Sequence, residues 1–463
     1  MRAAARTRSA RRLALGAFAA CMTTSTLVAQ QAPPSSVRTG PAAAAGTSAA
    51  RQTAETVSYV VDGVRVVHRT GMANDVVAAN VYLLGGVRQV TPQTAGIEPL
   101  LLIASERGTR SYPREALRLA MARQGTSIVI DPQADWTMIG ARATTATFDS
   151  TFVVLADRIM HPQLDPADVE QVRGQLLSGV RQRRDSPDAL LSYLADSVAF
   201  GSHPYAVPAS GTERSLGAIT LDDLRRYQQE QMVRSRMLLV VVGNVERPRV
   251  ERLVRATLAT LPEGSYRWSM PPAFAPMRSE IAVTPRALPT NYILGYYAGP
   301  AASSPDYAAL RIASAVLSGR LFNEIRVRRN LTYAVDAPFV ERAVGAGGLY
   351  VTTASPDTVL AYMRFGIEEL QTGTIDPRGL EQLVQGFIVQ YFMDNETNAD
   401  QADFLAQAEL YRGGWAVADR FVDELHAVTP ADVQRVARSY MRNIRFAYLG
   451  DPRRVRPELS RMF

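Results

Sequence analysis

Leu164–Leu177 reads LDPADVEQVRGQLL, and Ile375–Ile388 reads IDPRGLEQLVQGFI. Both open with an apolar residue and Asp-Pro, and both continue with apolar residues at helical spacing. An Asp ahead of a Pro at the first helical position is a helix start signal, so each stretch predicts an amphipathic helix. Their offset of 211 is not isolated. TLDDLRRY at Thr220 recurs as TPADVQRV at Thr429, an offset of 209, and LLVVVGNV with Gly243 recurs as RFAYLGDP with Gly450, an offset of 207. Three matches in one order at nearly one spacing identify an internal duplication. The expected fold is therefore α+β, two similar α/β halves of about 210 residues each, meeting in the proline-rich run MPPAFAPMRSE.

Domain boundaries follow. Residues 1–29 read as a signal peptide, with five arginines, an apolar run from Leu13 and small residues before a cut near Ala29. Residues 30–55, rich in Ala, Ser, Thr, Pro and Gly, read as a flexible linker. The N-terminal half is expected over 56–269, the interdomain linker over 270–280 and the C-terminal half over 281–463. The leader implies export, to the periplasm in a bacterium. The only cysteine, Cys21, follows Phe18-Ala19-Ala20 in a loose likeness of a lipoprotein cleavage box; the preferred reading is that Cys21 is discarded with the leader, and the alternative is a lipid anchor there. No later apolar run approaches the ~20 residues needed to span a bilayer as a helix.

Composition narrows the function. With 47% hydrophobic and 21% charged residues the chain is of ordinary globular type. Every one of its 51 basic residues is arginine, and the net charge of +7 falls to +2 once Arg2, Arg6, Arg8, Arg11 and Arg12 of the leader are set aside. A nearly neutral mature chain argues against a nucleic-acid partner.

Locally, VSYVVDGVRVVHRT predicts a hairpin turning at Asp62-Gly63, followed by a strand in VVAANVYLLGGV. SYPREALRLAMARQG predicts a helix with Ser111 as its cap, Pro113 near the first turn and Gly125 past its end. GIEPLLLIASERGT, Gly96 to Thr109, predicts a short helix with an apolar interior.

These stretches, together with GGVRQVTPQTAGIE, FGSHPYAVPASGT at Phe200 and VVVGNVERPRVERLV at Val240, resemble the pitrilysin/insulinase family of zinc metallopeptidases in its processing-peptidase-like branch. The resemblance covers nearly all of residues 55–455. In that family the helix at Gly96–Thr109 carries H-x-x-E-H, two zinc-binding histidines and the glutamate that activates water. Here the histidine positions fall on Pro99 and Ile103, the base position on Leu102, and the third ligand, from a later helix, on Gly179. None can bind a metal, so the resemblance implies a degenerate zinc motif, no catalysis by this chain alone and no cofactor in it. Zinc is expected only in a catalytic partner.

The four histidines, His68, His161, His203 and His426, lack metal-ligand spacing, and His203 in HPY reads as a loop or core residue. Glu98 and Glu106 read as solvated flanks of the altered helix. In the C-terminal half, SGRLFNEIRVRRNLTYAVDAPF resembles the family's substrate-holding segment, which assigns Arg326 and Tyr333 to peptide binding. GAGGLYVTTASP at Gly345 lacks the lysine of a phosphate loop and reads as an edge strand, where an extended peptide can add.

The resemblance implies a non-catalytic subunit that pairs as a heterodimer with a homologue bearing the intact motif, binds peptide substrate and completes that partner's active site. The alternatives are a stand-alone peptide-binding scaffold and, disfavoured by its few and badly spaced histidines, a peptidase with relocated ligands.

Overall fold

A computed structural model describes residues 55–72 and 74–463. The leader and almost all of the linker expected before Thr56 lie outside the described residues. The described residues form one compact unit.

Two six-stranded sheets organise it. The first runs β1-β2-β6-β3-β5-β4, with β1 (Glu55–Val61), β2 (Val64–Thr70), β3 (Val76–Leu84), β4 (Ser127–Pro132), β5 (Trp136–Thr144) and β6 (Met237–Gly243). The second holds β7 (Glu280–Pro285), β8 (Asn291–Ala301), β9 (Thr332–Asp336), β10 (Phe339–Val340), β11 (Val344–Thr353) and β12 (Arg445–Gly450). Its order is β7-β12-β8-β11, with β9 and β10 both pairing to the far side of β11. Each sheet has one parallel pair, β2 with β6 and β7 with β12, and the order β2-β6-β3-β5-β4 is repeated by β7-β12-β8-β11-β9.

The helices that matter below are α1 (Ile97–Ala104), α2 (Arg114–Gln124), α3 (Pro166–Asp185), α4 (Pro187–Phe200), α5 (Leu221–Gln231), α6 (Asp306–Leu321), α7 (Pro377–Asp394), α8 (Asn398–Tyr411) and α9 (Pro430–Tyr440). The duplicated motifs fold alike to the level of single caps. Asp165 and Asp376 each accept two backbone N–H groups at the starts of α3 and α7, and Thr220 and Thr429 each form a capping box at α5 and α9. The hairpin turns at Asp62 (φ 45°) and Gly63 (φ 91°), both left-handed as a two-residue turn requires. In α2 the cap differs from expectation: Pro113 occupies the cap position with no side-chain bond, and Ser111 lies outside, its backbone N–H donating to Asp157 Oδ2 at 3.2 Å. Proline has fixed φ and no N–H to satisfy, so it starts this helix without the hydroxyl.

The halves are interlocked. Helix α4 of the first half lies on the second sheet, where Leu191, Ala195 and Phe200 pack with Leu294, Tyr296, Ala447 and Leu449. Reciprocally, α8 of the second half lies on the first sheet, packing Ala402, Leu405 and Ala406 against Tyr82, Leu84, Leu238 and Val240. Each sheet thus buries one face under its own helices and the other under a helix from its twin. Two carboxylates, one buried and one half-buried, tie this seam. Asp135 accepts from Tyr205 OH (2.7 Å), Tyr411 OH (2.9 Å) and the Ala343 N–H (3.2 Å), while Asp403 of α8 accepts from Tyr82 OH and from Asn80 Nδ2 at 2.9 Å. Burial raises the Asp403 carboxyl above its usual range, and it pushes the Tyr205 and Tyr411 phenols up as well, so the phenols stay donors. None of the helices described is long and apolar enough to cross a membrane.

Candidate functional site

Helix α1 begins after Gly96, whose φ of 88° suits glycine and whose Cα faces Gly211 and Leu216 too closely for a side chain. Pro99 sits in the first turn, where its missing N–H costs nothing. Pro99 and Leu102 are buried, and Leu100 and Leu101 beside them are equally closed off. Ile103 is half-buried and joins the same core as Leu176, Leu177 and Val180 of α3. Gly179 is exposed on α3, with open space where a Cβ would stand.

Across the four positions that the resemblance assigns to zinc chemistry there is no nitrogen, sulfur or carboxylate side chain, so these residues do not fit the ion. Among the described residues no three His, Cys, Asp or Glu side chains come together as a metal-binding group. His203 is a loop residue: it caps a single 3-10 turn, and its Nε2 lies 2.9 Å from the Pro272 carbonyl, pinning the proline-rich linker.

One carboxylate on α1 departs from the sequence reading. Glu98 is not solvated but 4% exposed, and its Oε2 accepts from Arg236 Nη2 at 3.0 Å and Tyr227 OH at 2.9 Å. Arg236, 1% exposed, also donates to the carbonyls of Leu84 (2.8 Å) and Gln231 (3.1 Å). Burial by itself lowers the affinity of the guanidinium for its proton; the Glu98 carboxylate more than offsets this and leaves it raised. A buried charge requires such a partner, and Glu98 is that partner. The sequence carried one signal of it: Glu98 interrupts the apolar run of α1. Glu106, by contrast, is exposed as expected and accepts from Arg158 at 3.1 Å.

The second-half segment is built differently. Helix α6 passes directly into a π-helical stretch, Phe322–Arg328, an uncommon geometry that recurs at functional sites. Three arginines follow one another here, but they are not equivalent. Arg328 and Arg329 both pair with Glu324, at 3.2 and 2.8 Å, and Arg329 lies over Tyr362 at 4.1 Å. Arg326 is exposed, has no carboxylate partner among the described residues and rests its guanidinium 5.1 Å from the Phe322 ring. After Asn330 turns the chain with φ 53°, β9 buries Thr332 and Val335 and leaves Tyr333 83% exposed. Neither Arg326 nor Tyr333 contributes its side chain to a core.

The edge assigned to Gly345–Thr353 is corrected. These residues lie within β11, which is flanked by β8 on one side and by β9 and β10 on the other. Its glycines fit the interior of the sheet: a Cβ on Gly347 would meet the Tyr297 ring at 2.2 Å. The outer strand is β9, which carries Tyr333.

Comparisons with known proteins agree with this geometry. Residues 218–387 match the family model described as "Peptidase M16 inactive domain". The uncharacterized zinc protease YmxG of Bacillus subtilis is 21% identical over 384 residues, spanning 81% of this chain and 93% of that protein. The mitochondrial-processing peptidase subunit beta of Lentinula edodes is 22% identical over 443 residues, 88% of this chain and 93% of that one. A crystal structure of a peptidase M16 inactive domain from Pseudomonas fluorescens has the same fold, with a TM-score of 0.77 at 18% identity over 87% of this chain and 99% of that chain.

Proposed function

We propose that this chain, which belongs to the pitrilysin/insulinase (M16) peptidase family and carries no metal donor at the family's zinc positions, is the non-catalytic subunit of an exported zinc peptidase. It pairs with a homologue bearing the intact motif, binds peptide substrate and completes the partner's active site. The carrying observation is the contrast between two sites: Pro99, Leu102 and Ile103 are apolar and packed, whereas Arg326 and Tyr333 are polar-tipped, exposed and uncommitted. Leaving an arginine without an ion pair and a tyrosine without packing adds nothing to folding, so their use lies outside this chain. A relative named as one subunit of a processing peptidase supports the pairing, and the basic, apolar leader supports export.

In this reading the metal chemistry is the partner's. The Arg326 guanidinium presents a fork of donors to substrate carbonyls, and the Tyr333 phenol donates to the oxyanion forming at the scissile bond. The test is to mix the chain with a homologue that has H-x-x-E-H and follow cleavage of a quenched peptide. Tyr333→Phe is expected to lower kcat by about 10²-fold to 10³-fold, and Arg326→Ala to act mainly on KM. Unchanged kinetics in a demonstrated complex overturn the proposal. Peptide binding by this chain with no effect on the homologue would favour a stand-alone scaffold.

A further inference from the structure

The last three turns of α7 present an unusual surface. From Gln382 to Met393 the exposed residues, Gln382, Gln385, Gly386, Val389, Gln390, Phe392 and Met393, carry no charge, and the helix closes on the exposed Asp394. Val389, Phe392 and Met393, spaced i, i+3 and i+4 on one face, are 59%, 62% and 63% exposed. The duplication supplies an internal control. At the offset of 211 the matching residues of α3 are Ser178, Arg181 and Gln182, all exposed and all polar. The shared fold therefore makes no demand for apolar side chains there, and only the second half has them.

The patch continues beyond the helix. Asn398, at the start of α8, donates from Nδ2 to the Val76 carbonyl at 2.6 Å and to Asn74 Oδ1 at 3.3 Å, tying the loop with exposed Met72 and Val76 to the turn after α7. Around that turn stand Asp75, Asp394, Glu396 and Asp400, all exposed, and none forms an ion pair among the described residues. The C-terminal end of α7 adds the negative pole of its backbone dipoles. Apolar side chains beside a cluster of exposed carboxylates without ion pairs among the described residues define the complementary ligand.

We propose that this face docks an amphipathic polypeptide segment whose apolar side chains lie on Val389, Phe392 and Met393 and whose arginine or lysine residues meet Asp75, Asp394, Glu396 and Asp400. Methionine and phenylalanine suit such a role, since the flexible thioether adapts to varied side chains while the ring supplies area. The contact sets one helix face on another, with charges setting orientation and the apolar face setting residence. It does not depend on Arg326, Tyr333 or a catalytic partner.

The experiment uses the full chain and a fluorescein-labelled synthetic helix with leucines on one face and arginines on the other, followed by anisotropy. Saturable binding is expected, weakened at least about tenfold by Phe392→Ser with Met393→Ser, a loss of about 1.4 kcal/mol. Asp75→Asn, Asp394→Asn and Glu396→Gln together are expected to weaken binding at low salt and flatten its salt dependence. Replacing the peptide's arginines by glutamates is expected to abolish binding. Absence of saturable binding, equal affinity in either variant, or equal affinity for the acidic peptide overturns the proposal. So does sedimentation showing that the same two serine substitutions dissociate a dimer of this chain while peptide binding is absent, which assigns the face to a second copy.

Discussion

Removal of the Glu98 carboxylate isolates what α1 now does. In Glu98→Ala the Arg236 guanidinium keeps its charge at 1% exposure, with two carbonyls still accepting but no counter-charge. Breaking a buried pair from one side costs about 3–5 kcal/mol, and the unpaired Tyr227 hydroxyl adds about 1 kcal/mol. The loss is therefore expected near the upper end of that range. Adding Arg236→Met removes the stranded charge, and although it frees the Leu84 and Gln231 carbonyls, the double variant is expected to be more stable than Glu98→Ala alone. The assay is urea unfolding followed by tryptophan fluorescence, comparing midpoints at constant slope so that a change in stability is separated from a change in the unfolded state. A loss below about 1 kcal/mol for Glu98→Ala would place Glu98 in solvent and refute the buried-pair account. A double variant as unstable as the sum of the singles would show that charge stranding is not the dominant cost.

Two further outcomes are expected. His68 is fully buried on β2, and burial lowers its proton affinity, so the unfolded chain takes up a proton first as pH falls through the ordinary histidine value of about 6.5. Its contribution is whole above that pH and is lost below it; thermal melts at pH 7.5 and 5.5 should differ less in His68→Gln than in the parent, and an equal difference would discount His68. Expressed apart, residues 55–269 and 270–463 each expose a sheet face that α8 or α4 normally covers, so each is expected to aggregate and the pair to be recovered as a soluble complex by size exclusion on co-expression. A soluble, folded single half would show that the interlock is dispensable.

Much of this protein was written locally. The Asp-Pro starts of α3 and α7 and the Asp62-Gly63 turn are local hydrogen-bond and backbone preferences, so they were legible in order and almost to the residue. The loss of donors at Pro99, Leu102, Ile103 and Gly179 was equally legible, because the absence of a ligand atom needs no coordinates. Tertiary structure decided the rest. Whether Gly345–Thr353 is an edge depends on where β9 and β10 return, and nothing within the strand encodes that. Glu98 looks like a helix flank until Arg236, 138 residues away, arrives in the same dry space. The exchange of α4 and α8 between the halves is likewise invisible to periodicity: an amphipathic helix records that it has an apolar face to bury, but not which sheet will bury it.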